Sequence, residues 1–240
     1  MRYLGIYYCL EEGMNKVEIL HGWNSKKYSL LWICQKTIRS NIDNISNEYK
    51  ILNDYNPINH IKTRIKTTES IVDKLKRKNL PINIENTMKL NDIVGARIIV
   101  DFIENIYEVL DKLKENENLT IIREKDYIKN PKQSGYSGYH IIVSLPVSIS
   151  GVTKNINCEV QIRTAAMDFW ASNEHKLNYK SDNHTQEYQN KWIDAANKVW
   201  DLDKFMNELY KEEKKNNKNM KNYDYLKSVN ILKSLYKFNE

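Results

Sequence analysis

Three polar side chains of different chemistry alternate with apolar residues in one segment of the chain. Glu159, Gln161 and Arg163 occupy every second position near the end of the segment 154–163, and the positions between them are apolar. Successive side chains of a β-strand point to opposite sides, so a strand would place all three groups on one face. That face could be the solvated side of a sheet, or it could be the wall of a cleft that binds a polar ligand.

A second carboxylate stands directly before another candidate strand. Asp92 precedes the segment 93–101, which is rich in the β-branched residues typical of buried strands. An aspartate at such a place is commonly a turn or capping residue. It could also bind Mg²⁺, which proteins usually hold through one or two carboxylates together with substrate phosphates. If the two segments are neighbouring strands, Asp92 and Glu159 could meet at one metal ion.

Basic residues accompany the two carboxylates. Arg97 interrupts the apolar segment 93–101, and an arginine in a buried strand needs a phosphate, a carboxylate or an aromatic partner. For any single lysine, a solvated surface charge is the simpler interpretation. The basic residues that could together bind a phosphate-rich ligand are Arg64, Lys66, Lys74, Arg97, Lys125 and Lys132.

A polar loop at residues 130–140 is the third candidate cluster. Gly135 and Gly138 permit a tight turn or a close approach to a ligand. Tyr136, between them, could stack on a base from the tip of such a loop. An ordinary surface loop with an amphipathic tyrosine would give the same pattern.

The composition excludes several classes of protein. Of the 240 residues, 41% are hydrophobic and 28% are charged, which supports a packed core and argues against wholesale disorder. The seven glycines form neither G-x-G-x-x-G nor G-x-x-x-x-G-K-S/T, so the sequence has no Rossmann or P-loop motif. The net charge of +6 suits either a Lys-rich composition or a phosphate-rich ligand such as a nucleotide or RNA.

Features of membrane and secreted proteins are also missing from the sequence. There is no run of 18 apolar residues, no secretory signal pattern, and the three cysteines are widely spaced. We therefore expect a cytoplasmic protein with no membrane association.

Hydrophobic periodicity predicts a helix, then an α/β sheet, then further helices. The predicted helices are residues 25–53, 69–78, 103–114, 164–180, 187–212 and 223–237. The predicted strands are residues 93–101, 119–123, 139–147 and 154–163, with a short extended piece at 60–66. Thr67 or Thr68 is expected to cap the second helix, and a Lys/Asn-rich linker is predicted at 213–222.

Four motifs in the same order and spacing resemble the synthetase domain of the RelA/SpoT-homologue family. They are Arg64-x-Lys66-x-x-x-Ser70, Asp92-Ile-Val-Gly-Ala-Arg97, Gly135-Tyr136-x-x-x-His140 and Glu159-Val-Gln161-Ile-Arg163-Thr164, the last followed by Met167-Asp-Phe-Trp170 and Glu174-His175-Lys176. The resemblance divides the chain into an N-terminal segment and helix (1–58), a synthetase core (59–180) and C-terminal helices (181–240). The short chain is similar to a small alarmone synthetase. The His-Asp pair of the family's hydrolase domain does not occur in the sequence, so no hydrolase activity is expected.

The resemblance implies both a fold and a reaction. The fold would be α/β (α+β), a nucleotidyltransferase-like mixed β-sheet flanked by helices, with helical N- and C-terminal extensions. The reaction would be that of a GTP pyrophosphokinase in the stringent response, which transfers pyrophosphate from ATP to the 3′-hydroxyl of GDP or GTP and releases AMP. GMP is a further candidate acceptor. Such enzymes are typically homotetramers, and the apolar stripes at 25–53 and 187–209 could form the interface or could simply cover the sheet.

Family roles transfer to five residues on the ATP side. Arg64 and Arg97 would enclose the adenine ring between them. The side chains that would bind the ATP phosphates are Lys66, Ser70 and Lys74.

The remaining roles concern the metal and the acceptor. Asp92 and Glu159 would bind Mg²⁺, and Glu159 would also be the base for the 3′-hydroxyl. Tyr136 would stack on the guanine. The residues that would line or support the acceptor side are Lys125, Lys132, His140, Gln161 and Arg163.

The loop departs from the family pattern, which has Asn before Gly-Tyr and Arg-Ser after it. This chain has Ser134, Ser137 and Gly138 at those places, so the preferred acceptor stays open. A second hypothesis is a toxin-like relative that pyrophosphorylates tRNA or adenosine nucleotides. A third is a non-catalytic nucleotide- or RNA-binding regulator. The retained carboxylate pair argues against the third, because a pure binder gains little from burying two acids near phosphates.

Overall fold

A mixed sheet of five strands forms the centre of the molecule. The computed structural model describes residues 25–52, 55–178 and 185–236, with side chains over 28–52, 55–177 and 185–216. The strands, in spatial order β1-β2-β5-β4-β3, are β1 (Ile58–Ile65), β2 (Val94–Val100), β5 (Val152–Thr164), β4 (Tyr139–Ile149) and β3 (Thr120–Asp126). β2 and β5 are parallel, whereas the other neighbouring pairs are antiparallel.

Helices cover one face of this sheet. The helices are α1 (Ser25–Leu52), α2 (Thr68–Arg77), α3 (Ile84–Met88), α4 (Ile103–Lys114), α5 (Ala165–Asn178) and α6 (Gln186–Tyr236). α1 and α4 pack on β2 and β5 and bury the apolar stripe predicted for the first helix, including Ile38 and Ile42. Each such side chain contributes about 1.5–3 kcal/mol by leaving water. The stripe at 25–53 therefore mainly covers the sheet.

The predicted alternation of β5 is confirmed. Cys158, Val160 and Ile162 are completely buried beneath the helices, whereas Glu159 and Gln161 on the opposite face are only partly buried. Burial of one face fixes the register, because a slip by one residue would exchange the two faces. The polar face of β5 is thereby left available for a site.

The C-terminal region differs from the prediction. The linker predicted at 213–222 is wrong, because α6 continues through this segment to Tyr236. The segment contains neither proline nor glycine, and lysine is a good helix former, so its composition permits a helix as well as a linker. Residues 1–24, 53–54, 179–184 and 237–240 lie outside the described residues, and the division of the chain into three units stays a prediction.

A buried hydrogen bond joins α6 to the start of α5. The hydroxyl of Thr164 accepts from the Met167 N–H at 3.1 Å and donates to Asp203 Oδ2 at 2.6 Å. This geometry caps α5 in the manner expected of a threonine before a helix. Burial raises the pKa of Asp203 from 3.8 to about 6, although the Thr164 hydroxyl opposes the shift.

Asp203→Asn is expected to stabilise the protein at high pH. Between pH 4 and pH 6 the folded protein retains a proton that the unfolded chain has released, so the stability of the wild-type fold falls as pH rises. An asparagine oxygen can still accept the Thr164 hydrogen bond. Urea unfolding should show the variant about 2–3 kcal/mol more stable than wild type at pH 8, with little difference at pH 4. If the free energy of unfolding differed from that of wild type by the same amount at both pH values, the assignment of the raised pKa to Asp203 would be wrong. Asp201→Asn, at an exposed position two residues earlier, is the matched control.

Candidate functional site

The open face of the sheet carries its polar residues in rows across the strands. Arg64, Gly95 and Glu159 are aligned on β1, β2 and β5. The next row crosses all five strands and consists of Lys62, Arg97, Gln161, His140 and Lys125. Aligned residues on one face lie about 5 Å apart. The sheet therefore brings together residues that are widely separated in sequence.

Asp92, directly before β2, is held by two lysines. Its Oδ2 lies 2.8 Å from Lys66 Nζ and 2.5 Å from Lys74 Nζ, so it ties the end of β1 to α2. Burial acts to raise the pKa of Asp92, but the two ammonium groups outweigh it and hold that pKa below its usual range. The second oxygen, Oδ1, is buried and has no hydrogen-bond partner among the described residues. A carboxylate oxygen of this kind normally requires a partner.

Glu159 is oriented by two neighbours. Gln161 Nε2 donates to its Oε2 at 3.0 Å, and His140 Nδ1 lies 3.5 Å from its Oε1. Burial acts to raise the pKa of Glu159, yet the contacts with His140 and Gln161 lower it overall. Burial also lowers the pKa of His140, so at neutral pH the imidazole is uncharged and acts on Glu159 as a hydrogen-bond donor. Glu159 is thus ionised, which is the form that can accept a proton.

Arg97 finds its partner on α5. Its Nη1 donates to Asp168 Oδ1 at 2.9 Å, and Arg163 Nη1 donates to the same oxygen at 3.1 Å. The sequence predicted a phosphate, a carboxylate or an aromatic partner for Arg97, and the structure provides a carboxylate. Sequence reasoning did not single out Asp168, because an acidic residue in the first turn of a helix is common.

Tyr136 is folded inward rather than projecting from a loop tip. Its hydroxyl accepts from Arg163 Nε at 3.1 Å and Nη2 at 2.8 Å, and contacts His140 Nε2 at 2.5 Å. Next to it, Gly135 has φ of 85° and packs on α6, where an added Cβ would lie 2.4 Å from Ala196 Cβ. The loop is therefore anchored on α6. Stacking of Tyr136 on guanine stays a prediction.

Two cavities meet at the carboxylates. The first, of about 380 Å³, is lined by Lys62, Thr63, Arg64, Gly95, Ala96 and Arg97. The second, of about 390 Å³, is lined mostly by polar and basic residues, among them Lys74, Lys78, Lys89, Arg123, Lys125, Tyr127, Lys132 and His140. Asp92, Glu159 and Gln161 line both cavities. The geometry is that of a site for two ligands with a carboxylate pair between them.

Most of the predicted site residues lie at these cavities. Lys66 reaches the site through Asp92, whereas Arg163 and Tyr136 lie behind Gln161 and His140. Ser70 is a different case, because it contacts the capping residue Thr67 and is not among the residues that line the two cavities. The cavity residues that sequence reasoning missed include Lys62, Lys78, Lys89, Arg123 and Tyr127. Three of them had a signal: Lys62 and Arg123 each stand two residues before a predicted site residue on a strand, and Lys78 follows Lys74 by four residues on one helix face.

The mixed sheet holds two carboxylates between two cavities that are lined in part by basic residues. This arrangement is typical of a protein that brings two phosphate-rich ligands together. Residues 63–184 match the region found in RelA / SpoT proteins, and the chain belongs to this family. The predicted resemblance is therefore confirmed. Within the described residues, no helix has the length and apolarity needed to cross a bilayer.

Two curated relatives from Bacillus subtilis (strain 168) are similar over much of the chain. GTP pyrophosphokinase YwaC is 47% identical over 140 residues, which are 58% of this chain and 67% of the relative. GTP pyrophosphokinase YjbM is 36% identical over 162 residues, which are 67% of this chain and 76% of the relative.

Solved structures share the fold. Small alarmone synthetase 1 from Bacillus subtilis, bound to its product pppGpp, has a TM-score of 0.71 and 32% identity over 76% of this chain and 94% of that one. The same synthetase bound to AMPCPP has a TM-score of 0.68 and 29% identity over 80% of this chain and 97% of that one. The predicted fold class, a mixed sheet flanked by helices, is confirmed.

Proposed function

We propose that this protein is a GTP pyrophosphokinase, a (p)ppGpp synthetase. It transfers the β,γ-pyrophosphate of ATP to the ribose 3′-hydroxyl of GDP or GTP and releases AMP. The observation that carries the proposal is the pair of cavities that share Asp92, Glu159 and Gln161. The names of the relatives and the nucleotide-bound structures support the same activity.

The first cavity suits ATP. The side chain of Arg64 passes over Gly95, where an added Cβ would lie 3.8 Å from Arg64 Cγ. Arg97 stands in the next row and is oriented by Asp168. Two guanidinium planes can stack on an adenine ring, and this arrangement needs no glycine-rich loop. Lys66 and Lys74, beside Asp92, provide positive charge for the phosphates, and Ser70 is proposed to contact them from the first turn of α2.

The carboxylates fit Mg²⁺. Asp92 Oδ1, which has no partner among the described residues, is a carboxylate oxygen of the kind that binds Mg²⁺. The two carboxylates are also close enough to interact: the negative charge of Asp92 acts to raise the pKa of Glu159, although His140 and Gln161 lower that pKa more strongly. We propose that Asp92 and Glu159 hold the ion with the substrate phosphates. When bound, it would neutralise phosphate charge that otherwise repels the attacking oxygen.

Glu159 takes the proton of the acceptor. As the 3′-oxygen forms a bond to the β-phosphorus of ATP, the hydroxyl proton passes to the Glu159 carboxylate. The bond between that phosphorus and the oxygen bridging it to the α-phosphorus breaks, and AMP leaves with the electron pair. His140 and Gln161 keep the carboxylate in position through its two oxygens.

The second cavity suits the acceptor. Lys125, Lys132 and His140 line it, and Lys132 Nζ lies 4.8 Å from the ring centroid of Tyr136. Gln161 forms the wall shared with the ATP cavity, and Arg163 supports Tyr136 from behind.

Tyr136→Ala is expected to raise the KM for the guanine nucleotide much more than the KM for ATP. Loss of base stacking costs about 1–3 kcal/mol, which corresponds to a rise of about 5- to 150-fold. Steady-state kinetics with each substrate varied in turn would measure it. Tyr136→Phe is the comparison variant: it loses the hydrogen bonds from Arg163 but retains the stacking ring, so it should raise the KM for the guanine nucleotide much less than Tyr136→Ala does. Equal increases in both KM values would show that the stacking assignment is wrong.

A transfer assay tests the proposed function and its alternatives. Purified protein would be incubated with Mg²⁺ and ATP radiolabelled at the γ-phosphate, with GMP, GDP, GTP or bulk tRNA in separate reactions. We expect label in a guanine nucleotide, and the most active reaction would identify the preferred acceptor. Label on tRNA alone would instead indicate a toxin-like relative. Absence of transfer from every reaction would overturn the enzyme proposal in favour of a binding protein.

We also propose that the enzyme is a cytoplasmic homotetramer. On α6, Leu202, Phe205, Met206 and Leu209 recur at helical spacing and remain exposed, so this part of the stripe at 187–209 does not cover the sheet. A sedimentation mass equal to one chain would contradict an oligomer.

The net charge of +6 also suits binding of RNA as a second activity, which gel-shift titration with single-stranded RNA would test.

A further inference from the structure

Asp168 is the one described carboxylate that contacts both Arg97 and Arg163. Both arginines donate to the same oxygen, Oδ1, and the side chains of Asp168 and Arg163 are 11% and 6% exposed. The position of Asp168 is fixed because it lies in the first turn of α5, next to Met167, whose N–H is bonded by the capping residue Thr164. Two guanidinium groups this close repel each other unless a counter-charge separates them.

The other N–H groups of Arg163 lead to the acceptor side. Nε and Nη2 donate to the Tyr136 hydroxyl, and Nη2 also donates to Gln161 Oε1 at 2.9 Å. Gln161 in turn donates to Glu159. Asp168 therefore fixes Arg163, which in turn holds Tyr136, the proposed guanine-stacking ring, and, through Gln161, the proposed base Glu159.

Arg97 leads to the other substrate. It lines the first cavity, whereas Asp168 and Arg163 are not among the residues that line either cavity. Asp168 consequently acts from behind the site, with one arginine directed to each half of it.

We propose that Asp168 is a positioning residue that orients Arg97 for ATP and Arg163 with Tyr136 for the acceptor, so that one carboxylate sets the affinity for both substrates. This inference rests on the proposed pyrophosphokinase function. A simpler role would be a buried ion pair that only fastens α5 to the sheet. The two roles differ in what they do to KM.

Asp168→Asn separates these roles. The amide is nearly the same size and can still accept one hydrogen bond, but it removes the charge between the two arginines. We expect the KM for ATP and the KM for the guanine nucleotide each to rise about tenfold, the size of effect seen when one charge-assisted hydrogen bond is weakened. The fall in kcat should be smaller than either increase. Asp194→Asn, which breaks the exposed pair between Asp194 and Lys198, is the control and should leave both KM values unchanged.

A double variant tests the route through Arg97. In an Arg97→Gln background, Asp168→Asn should raise the KM for ATP no further, whereas the KM for the acceptor should still rise, because Arg163 remains. An additive increase in the KM for ATP would overturn this part of the proposal.

Stability measurements keep the outcomes distinct. A lower melting temperature with unchanged KM values would show that Asp168 is only structural. If Asp168→Asn does not fold, Asp168→Glu is the second variant, because it keeps the charge but moves it by one methylene. We expect it also to raise both KM values, and unchanged KM values would overturn the proposal. Failure of the wild-type protein to transfer pyrophosphate would instead refute the proposed function itself.

Discussion

Glu159→Gln is expected to reduce kcat by about a thousandfold, the middle of the range for removal of a general base. The amide has the shape of the carboxylate and its oxygen can still accept from Gln161 Nε2, whereas its NH2 group then faces His140 Nδ1, which accepts from it in the other neutral tautomer. The amide has no lone pair basic enough to take the proton of the 3′-hydroxyl. Single-turnover measurement of pyrophosphate transfer would give the loss in the chemical step.

ATP binding by the same variant distinguishes loss of the base from loss of the site. Equilibrium binding of ATP should change far less than kcat, because Arg64 and Arg97 are untouched. Glu117→Gln, at an exposed position between α4 and β3, is the matched control and should behave as wild type. An unchanged kcat in Glu159→Gln would eliminate Glu159 as the base.

Asp92→Asn is expected to give the second-largest loss. It removes the counter-charge of Lys66 and Lys74 and replaces the partnerless anionic oxygen by a neutral amide. Loss of a few kcal/mol of charge stabilisation corresponds to a fall in kcat of about 100- to 1,000-fold. The Mg²⁺ concentration that gives half-maximal rate should also rise.

A titration of rate against Mg²⁺ concentration measures both effects of Asp92→Asn. Asp73→Asn provides the control, because Asp73 is an exposed residue of α2 beside Lys74 and does not line either cavity. If the Mg²⁺ dependence of Asp92→Asn matched that of wild type, Asp92 would not be a metal ligand and its role would be confined to positioning the two lysines.

Local patterns predicted the elements where the two faces of a strand or helix differ. β5 alternates from Ile156 to Ile162 because one face is buried there, and α4 was predicted at its observed bounds because its apolar stripe is complete. β3 was predicted to end at 123 but continues to Asp126, because an edge strand remains exposed and its polar residues look like a loop. The continuity of α6 was missed because the Lys/Asn-rich segment 213–222 has no apolar stripe in its sequence to indicate a helix.

The composition of the site was more predictable than its contacts. Motifs indicated Asp92, Glu159 and Arg97, but the neighbours of each depend on strand register and helix packing. His140 meets Glu159 because β4 and β5 are antiparallel, and Asp168 meets Arg97 because α5 turns back over β2. Contacts of this kind join residues up to 71 positions apart, and no local pattern specifies them.

The most direct test of the central claim is the product balance with an acceptor that has a 3′-hydroxyl and with one that lacks it. With the preferred guanine nucleotide, we expect one AMP for each acceptor molecule that gains a pyrophosphate, measured by ion-exchange chromatography. The 3′-deoxy form of the same nucleotide should yield neither product. Release of ADP and phosphate instead of AMP, or transfer to the 3′-deoxy acceptor at an equal rate, would contradict pyrophosphate transfer to the 3′-hydroxyl.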